Sequence, residues 1–485
     1  VSMDGGDSGR GGSRQAKGAG TDALQAQAPD LRRPWYGFAA LPAGKAARAL
    51  SRLTHHGGSA LPGKVVEGLD PTFLARTLGR LPMGVVLVSG TNGKTTTTRM
   101  VASMLQSLGL KVFTNPTGSN FTRGVVSSLV TELGPGSRGR LDADIAVLEL
   151  DEAYAVHFVR QVRPRYALLL NVMRDQLDRF GEIDNTARLL GSVAQATTGK
   201  LVLNREDTRI AGLAKLAPKG AQVRYFGLDD ALLSYFPSDD EMHEGDAGVQ
   251  AGGAAARVAA RPEHGLAADV VLDEVGIHKA AFTLDGRRMD TAVKLEGVYN
   301  LYNAAAALAL VRAVLADRQA AVGTPAPSDS ELMAALSRVT PAFGRGEVIS
   351  YRGAPVELVL VKNPMGFRLA LASFDPAGTD TMIAIRDEYA DGRDMSWLWD
   401  VDFASLRSGG VAMVSGTRAY DMALRLDYDQ VPVGAVEPDL EAALHTFVDA
   451  HPGVAKRIYC TYTAMLRLRA ELSKITDVAD AGVGA

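Results

Sequence analysis

Val85-Val86-Leu87-Val88-Ser89-Gly90-Thr91-Asn92-Gly93-Lys94-Thr95-Thr96 is the stretch whose reading decides the fold. Its first four residues form a short apolar run, the mark of a buried strand. Ser89 to Gly93 interrupts the run with turn-forming residues. From Thr95 to Leu108, residues Met100, Val101, Met104, Leu105 and Leu108 share one helical face, and Gly109 suits the C-cap. The order is strand, glycine loop, helix. In such a loop the glycines let backbone N–H groups approach phosphate oxygens, and the helix N-terminus adds partial positive charge. Lys94 can neutralise β- and γ-phosphates, and a threonine hydroxyl can ligate Mg²⁺. The loop departs from the general G-x-x-x-x-G-K form, because Val88 stands where the first glycine belongs. Nucleotide binding follows. The reaction stays open between a kinase, an NTPase motor and a ligase that activates a carboxylate.

Working outward, Ile145–Leu150, Tyr166–Leu170 and Leu201–Leu203 read as further buried strands with helical patterns between them. That alternation predicts an α/β fold with a mostly parallel sheet. Leu31–Gly79 reads as helical, broken at His55–Gly63. Composition shifts over 229–269, an acidic, Ala/Gly-rich insertion or loop. Leu284-Asp285-Gly286 is a turn signal, and Leu301–Val314 an alanine-rich helix. Beyond Thr340-Pro341, strands at Glu357–Val361, Met382–Ile385, Val411–Val414 and Ile458–Cys460 alternate with helices, a second and smaller α/β (Rossmann-like) domain. The expected organisation is a disordered leader over 1–33, a central domain with an N-terminal helical segment over 34–340, a C-terminal domain over 341–475 and a tail over 476–485.

The chain has 485 residues, too many for one core, with 46% hydrophobic and 22% charged residues. A formal net charge of −3 gives no global pull towards nucleic acid. The leader has no apolar h-region, and no run approaches the ~20 apolar residues of a spanning helix, so a cytoplasmic location is expected. Cys460 is the one cysteine, which excludes an intrachain disulfide and a Cys-x-x-Cys redox motif.

Several segments recur in an order that resembles the Mur ligase superfamily, which includes the folylpolyglutamate synthetases. After Gly90–Thr96 come Leu148-Glu149-Leu150-Asp151-Glu152, then Asn171–Asp178, similar to N-L-x-x-D-H-L-D. Leu203–Asp207 follows, then Gly297–Ala304, similar to G-x-x-N-x-x-N-A, and Gly344–Glu347, similar to G-R-x-E. The likeness is closest to the MurT family, through Ser59–Lys64, Arg174–Glu182, Val361–Phe367, Tyr389–Asp400 and Ser415–Ala423. MurT-type chains are the Mur-ligase-like subunits of lipid II isoglutaminyl synthases, paired with a GatD-type class I glutaminase.

The resemblance implies a Mur-ligase-like P-loop central domain that binds ATP and Mg²⁺. It places Gly90, Thr91, Asn92, Gly93, Lys94, Thr95 and Thr96 at the nucleotide, with Lys94 on the phosphates and Thr95 and Glu149 on the metal. Asn300 and Asn303 fall where the family contacts the adenine side; from the residues alone they could equally cap the helix that follows. Arg345 falls where an arginine reaches the phosphates. Gln176 replaces the histidine of amino-acid-adding Mur ligases, and no lysine stands between Gly181 and Gln195 to carry their carbamylated group. Many MurT-type chains carry a four-cysteine zinc ribbon; one cysteine cannot build it, so no zinc is expected.

The implied reaction is ATP-dependent amidation of the D-glutamate α-carboxyl in lipid II, at the inner membrane face, through an acyl phosphate. Glutamine hydrolysis needs a cysteine, a histidine and an acid. Cys460 sits in a strand-like segment without a glycine elbow, so a heterodimer with a glutaminase subunit is expected. In the family the MurT-type chain supplies the acid of that triad. The candidates are Asp391, Asp394 and Asp400, with Asp394 preferred, beside Trp397 and Trp399 as interface aromatics or core. An amino-acid-adding Mur or folylpolyglutamate-type ligase and a non-catalytic nucleotide-binding scaffold are the alternatives.

Overall fold

The computed structural model describes residues 32, 34–53, 60–115, 120–134, 137, 139–173, 183–235, 265–276, 279–294, 298–340, 345–373 and 376–478. The leader up to residue 31, most of the 229–269 stretch, and the segment Arg174–Glu182 with Gln176 lie outside them.

Two sheets organise the chain. The first has nine strands in the order β2-β3-β1-β4-β5-β6-β7-β8-β9. These are β1 (Val85–Ser89), β2 (Val112–Thr114), β3 (Ile145–Glu149), β4 (Tyr166–Leu169), β5 (Lys200–Asn204), β6 (Gln222–Leu228), β7 (Val270–Gly276), β8 (Lys279–Leu284) and β9 (Arg287–Ala292). Pairing is parallel from β2 to β7 and antiparallel across β7-β8-β9. The parallel strands read as unbroken apolar runs because helices cover both faces. Val86 and Val88 enter the core on one side, Val85 and Leu87 the core on the other. At the β8–β9 turn, Asp285 and Gly286 have φ of 46° and 79°, the twist that a two-residue hairpin loop needs.

The second sheet has six strands in the order β10-β11-β15-β12-β13-β14. They are β10 (Arg345–Tyr351), β11 (Ala354–Leu360), β12 (Thr379–Ala384), β13 (Val411–Ser415), β14 (Val433–Glu437) and β15 (Ala455–Cys460). Only the β10–β11 pair is antiparallel. Its strands again divide between two cores: Ile383 and Ile385 on one side, Met382 and Ala384 on the other.

The helix Lys94–Ser107 leaves β1 directly, and the helix Val298–Val322 packs against it. Tyr299–Ala320 has the length and apolar character to cross a membrane, yet most of it is buried inside this fold. Its alanines, Ala304 to Ala307, are fully buried and allow close packing on the sheet. Asp317 pins the same helix to the strands. It pairs with Lys200 at 2.7 Å and Arg165 at 3.2 Å, and accepts a hydrogen bond from the Tyr166 hydroxyl at 2.9 Å.

Burial raises the Asp317 pKa, but Lys200 and Tyr166 outweigh it and hold the carboxyl below its ordinary value. The cluster therefore stabilises the fold fully above the unfolded carboxylate pKa of about 4, and the contribution fades as pH falls through the lower folded value. Asp317→Asn is expected to cost about 1–2 kcal/mol at neutral pH. The gap from wild type, read by urea unfolding, is expected to close below about pH 4.

Candidate active site

The loop after β1 is braced from β4. Thr91 N donates to Asn171 O at 3.0 Å, and Asn92 N donates to Asn171 Oδ1 at 2.8 Å. Asn171 Nδ2 returns a bond to Asn92 O at 3.1 Å and another to the Tyr299 hydroxyl at 3.2 Å. Gly90 has φ +134°, and a Cβ there would meet Asn171 N at 3.0 Å. Gly93 has φ +84°, and a Cβ there would stand 2.4 Å from Asn303 Oδ1. Both positions therefore need glycine for conformation and for space. Asn303 thus packs against the loop from inside the helix Val298–Val322, and its Nδ2 is buried without a hydrogen-bond partner. Asn300 lies in the first turn of that helix and is half-buried.

Lys94 opens the next helix and is only 6% exposed. Its Nζ donates to Gly90 O at 2.6 Å and Thr91 O at 3.3 Å, and lies 3.3 Å from Asp151 Oδ1 and 3.5 Å from Glu152 Oε1. Burial pushes the Glu152 carboxyl above its ordinary pKa, against the pull of Lys94. Thr95 Oγ1 donates to Glu149 Oε1 at 2.8 Å. Glu149 is fixed at the end of β3 by Asn115: its N donates to Asn115 Oδ1 at 2.9 Å, and Asn115 Nδ2 donates to Glu149 O at 3.0 Å. The Thr96 hydroxyl is buried and unpartnered, so of the two adjacent threonines it is Thr95 that meets the acidic strand end.

The second unit reaches this loop at Asn363. Asn363 is 1% exposed and exchanges two bonds with Asn92: Asn92 Nδ2 to Asn363 Oδ1 at 3.2 Å, and Asn363 Nδ2 to Asn92 Oδ1 at 3.0 Å. Asn363 Oδ1 also accepts from Gly366 N at 2.8 Å, which caps the helix Pro364–Ser373. The positive charge of its neighbour Lys362 is felt at Glu152. Arg345 opens β10, and its side chain lies outside the described residues. Asn363→Ala is expected to leave the Asn92 amide without its partner and remove a cap, costing about 1–3 kcal/mol in a chemical-denaturation series.

The three acidic candidates near the tryptophans differ sharply. Asp391 is 3% exposed and saturated: Oδ1 accepts from Thr463 N at 2.8 Å, and Oδ2 from the Thr463 hydroxyl and from Glu388 N at 3.2 Å. Burial nevertheless raises its pKa. Asp394 is exposed, and its Oδ1 accepts from Ser396 N at 2.9 Å. Asp400 is half-buried at the end of the short turn Ser396–Asp400. Trp397 is core, edge-on to Phe367, whereas Trp399 is 48% exposed and packs edge-on to Tyr428 with centroids 5.1 Å apart. Cys460 is fully buried at the end of β15; burial pushes its thiol up, so it is neither accessible nor nucleophilic there.

A P-loop on a parallel sheet, with a second α/β unit paired to its asparagine, is the frame of an ATP-using enzyme of two units, and its relatives say of which class. The Mur ligase middle domain model matches residues 88–311, and the MurT ligase C-terminal model matches residues 360–465. In both segments the chain is similar to the MurT-type Mur ligases. It is 29% identical to the lipid II isoglutaminyl synthase (glutamine-hydrolyzing) subunit MurT of Streptococcus pneumoniae, over 87% of this chain and 93% of that one. The same-named subunit of Staphylococcus aureus strain COL is 27% identical, over 85% and 92%. In fold it is similar to MurF from Acinetobacter baumannii (TM-score 0.62, 18% identity, 86% of this chain and 81% of that one). It is also similar to MurF ligase from Thermotoga maritima in complex with ADP (TM-score 0.59, 16% identity, 85% and 83%).

Proposed function

We propose that this chain activates the α-carboxyl of D-glutamate in lipid II with ATP and converts it to an amide, using ammonia made by a separate GatD-type glutaminase. The observation that carries the reading is the match to glutamine-hydrolyzing synthase subunits over nearly their whole length, on a chain whose sole cysteine is buried. A carboxylate is a poor electrophile. Transfer of the γ-phosphoryl group makes an acyl phosphate and ADP; ammonia then attacks the acyl carbon, and phosphate leaves with the C–O electrons.

The loop fits a triphosphate. Gly90 and Gly93 leave room that a Cβ would fill, Lys94 supplies the cation, and the orphaned Asn303 Nδ2 offers a donor. Thr95 and Glu149 fit Mg²⁺, a hard cation usually held by one or two protein oxygens together with phosphates and water. Bound there, the metal neutralises charge on the phosphates. Among the described residues no group of three or more His, Cys, Asp or Glu side chains gathers as a metal cage, which suits an ion brought in with its nucleotide. Asp151 and Glu152 hold Lys94 against the loop, and the Asn92–Asn363 pair sets the second unit over it.

Asp394 completes the glutaminase triad in this reading. It is the exposed acid, whereas Asp391 is committed to Thr463. Purified alone, the chain is expected to bind ATP and to amidate lipid II with ammonium but not with glutamine. Adding the glutaminase is expected to restore glutamine use. Release of ammonia from glutamine by the chain alone contradicts the reading.

A further inference from the structure

The N-terminal helical segment carries an exposed apolar face that the site does not use. Trp35, Tyr36 and Phe38 stand on a 3-10 turn, Trp35–Ala39, with Trp35 85% and Phe38 65% exposed. Residues three apart eclipse in such a turn, so Trp35 and Phe38 share one side. The helix Ala40–Leu53 continues from it. Its Ala40 and Gly44 are buried, and a Cβ on Gly44 would press on Val66 and Val130. The opposite stripe, Pro42, Ala46, Ala49 and Leu50, is exposed, with Leu50 at 59%. At 100° per residue these positions fall within one arc, where a solvent-facing helix ordinarily carries charge.

The charges lie along the edge of that stripe instead. Lys45 lies on one row of the helix, and positions 48 and 52, both arginines, continue it; Arg48 also donates to the Thr131 hydroxyl on a packed helix. From Leu31 to Lys64 the sequence has Arg32, Arg33, Lys45, Arg48, Arg52 and Lys64, and no Asp or Glu. The whole chain is formally −3, so this concentration is local. Aromatic side chains beside an apolar stripe, in a stretch whose charged residues are lysine and arginine, have the chemistry of a segment that lies in a lipid headgroup layer.

We propose that Trp35–Leu53 docks this protein on an anionic membrane surface. Trp35 and Phe38 enter the headgroup–acyl boundary, and the basic residues of the segment, Lys45 among them, face lipid phosphates. Charge complementarity selects this occupant over a protein groove, because a segment with basic residues and no acid from Leu31 to Lys64 is matched by an anionic sheet.

The test is flotation of the full chain with vesicles of phosphatidylcholine containing one quarter phosphatidylglycerol, against pure phosphatidylcholine, with no lipid II present. Its outcome is therefore independent of the proposed reaction. Wild type is expected to float with the anionic vesicles, and less so in high salt. Trp35→Ser with Phe38→Ser, and separately Lys45→Glu with Arg52→Glu, are expected to lower the bound fraction at least about tenfold. ATP binding and the thermal midpoint should be retained, because the substituted positions lie away from the P-loop. No flotation of wild type, or equal flotation of both variants, overturns the proposal. So does a change from dimer to monomer in the variants with vesicle binding intact, which assigns the face to a second copy.

Discussion

Lys94→Met is expected to lower amide formation about 10²–10³-fold whether the nitrogen comes from glutamine or from free ammonium. Lys94 Nζ is the buried cation of the loop, within 3.5 Å of Asp151 and Glu152 and bonded to the Gly90 carbonyl. Methionine keeps the stem and removes the charge, so phosphoryl oxygens lose the partner that meets their developing negative charge. In the proposed reaction both nitrogen sources fall together, because ammonia from either attacks a carboxyl that must first be phosphorylated. Glu152 also loses the cation that opposes its burial, and takes up a proton more readily. The check is ADP release under ammonium and under glutamine, with the thermal midpoint measured beside it. Equal activity in wild type and variant contradicts the role of Lys94.

Asp394→Asn is expected to separate the two nitrogen sources. In the complex with the glutaminase, glutamine-dependent turnover falls about 10³–10⁴-fold, the scale on which a triad loses the acid that orients its histidine. Ammonium-dependent turnover stays at the wild-type level, because Asp394 is exposed and lies outside the P-loop cluster. The adjacent acid gives the control. Asp391→Asn keeps one acceptor oxygen and replaces the other by an NH2 donor, so Thr463 N and the Thr463 hydroxyl can no longer both be accepted; it is expected to lower the thermal midpoint and to reduce both reactions alike. Full glutamine use by Asp394→Asn removes that residue from the triad.

The P-loop was legible because its chemistry is local. Val85–Thr96 carries strand, turn and helix start within twelve residues, and the structure places β1, both positive-φ glycines and the helix there. The parallel strands were legible as apolar runs, and the helix Lys94–Ser107 lies within one residue of its expected bounds. Short edge strands such as β2, and the half-exposed β9 and β14, carry too few apolar residues to announce themselves.

Missing from the sequence reading were the residues that brace the loop from afar. Asn171 and Asn363 reach it across 79 and 271 positions, Asn115 holds Glu149 across 34, and no periodicity reports a partner at such a distance. Asn363 was visible only within Val361–Phe367, as part of the family likeness; its bond to Asn92 needs both sheets in place. Asn303 reads in sequence as a cap candidate, yet it sits inside the helix because the turn before it already winds from Val298. Trp397 and Trp399 look alike in one loop, and only packing sends the first to the core and the second to the surface.

The central claim is that the carboxyl is activated as an acyl phosphate before nitrogen arrives. It is tested most directly by isotope transfer. Lipid II with heavy-oxygen label in the D-glutamate α-carboxyl is incubated with the chain, ATP, Mg²⁺ and ammonium, and the released phosphate is examined by mass spectrometry. An acyl phosphate transfers one labelled oxygen to each phosphate released during amide formation. Amide formed alongside wholly unlabelled phosphate would contradict the account.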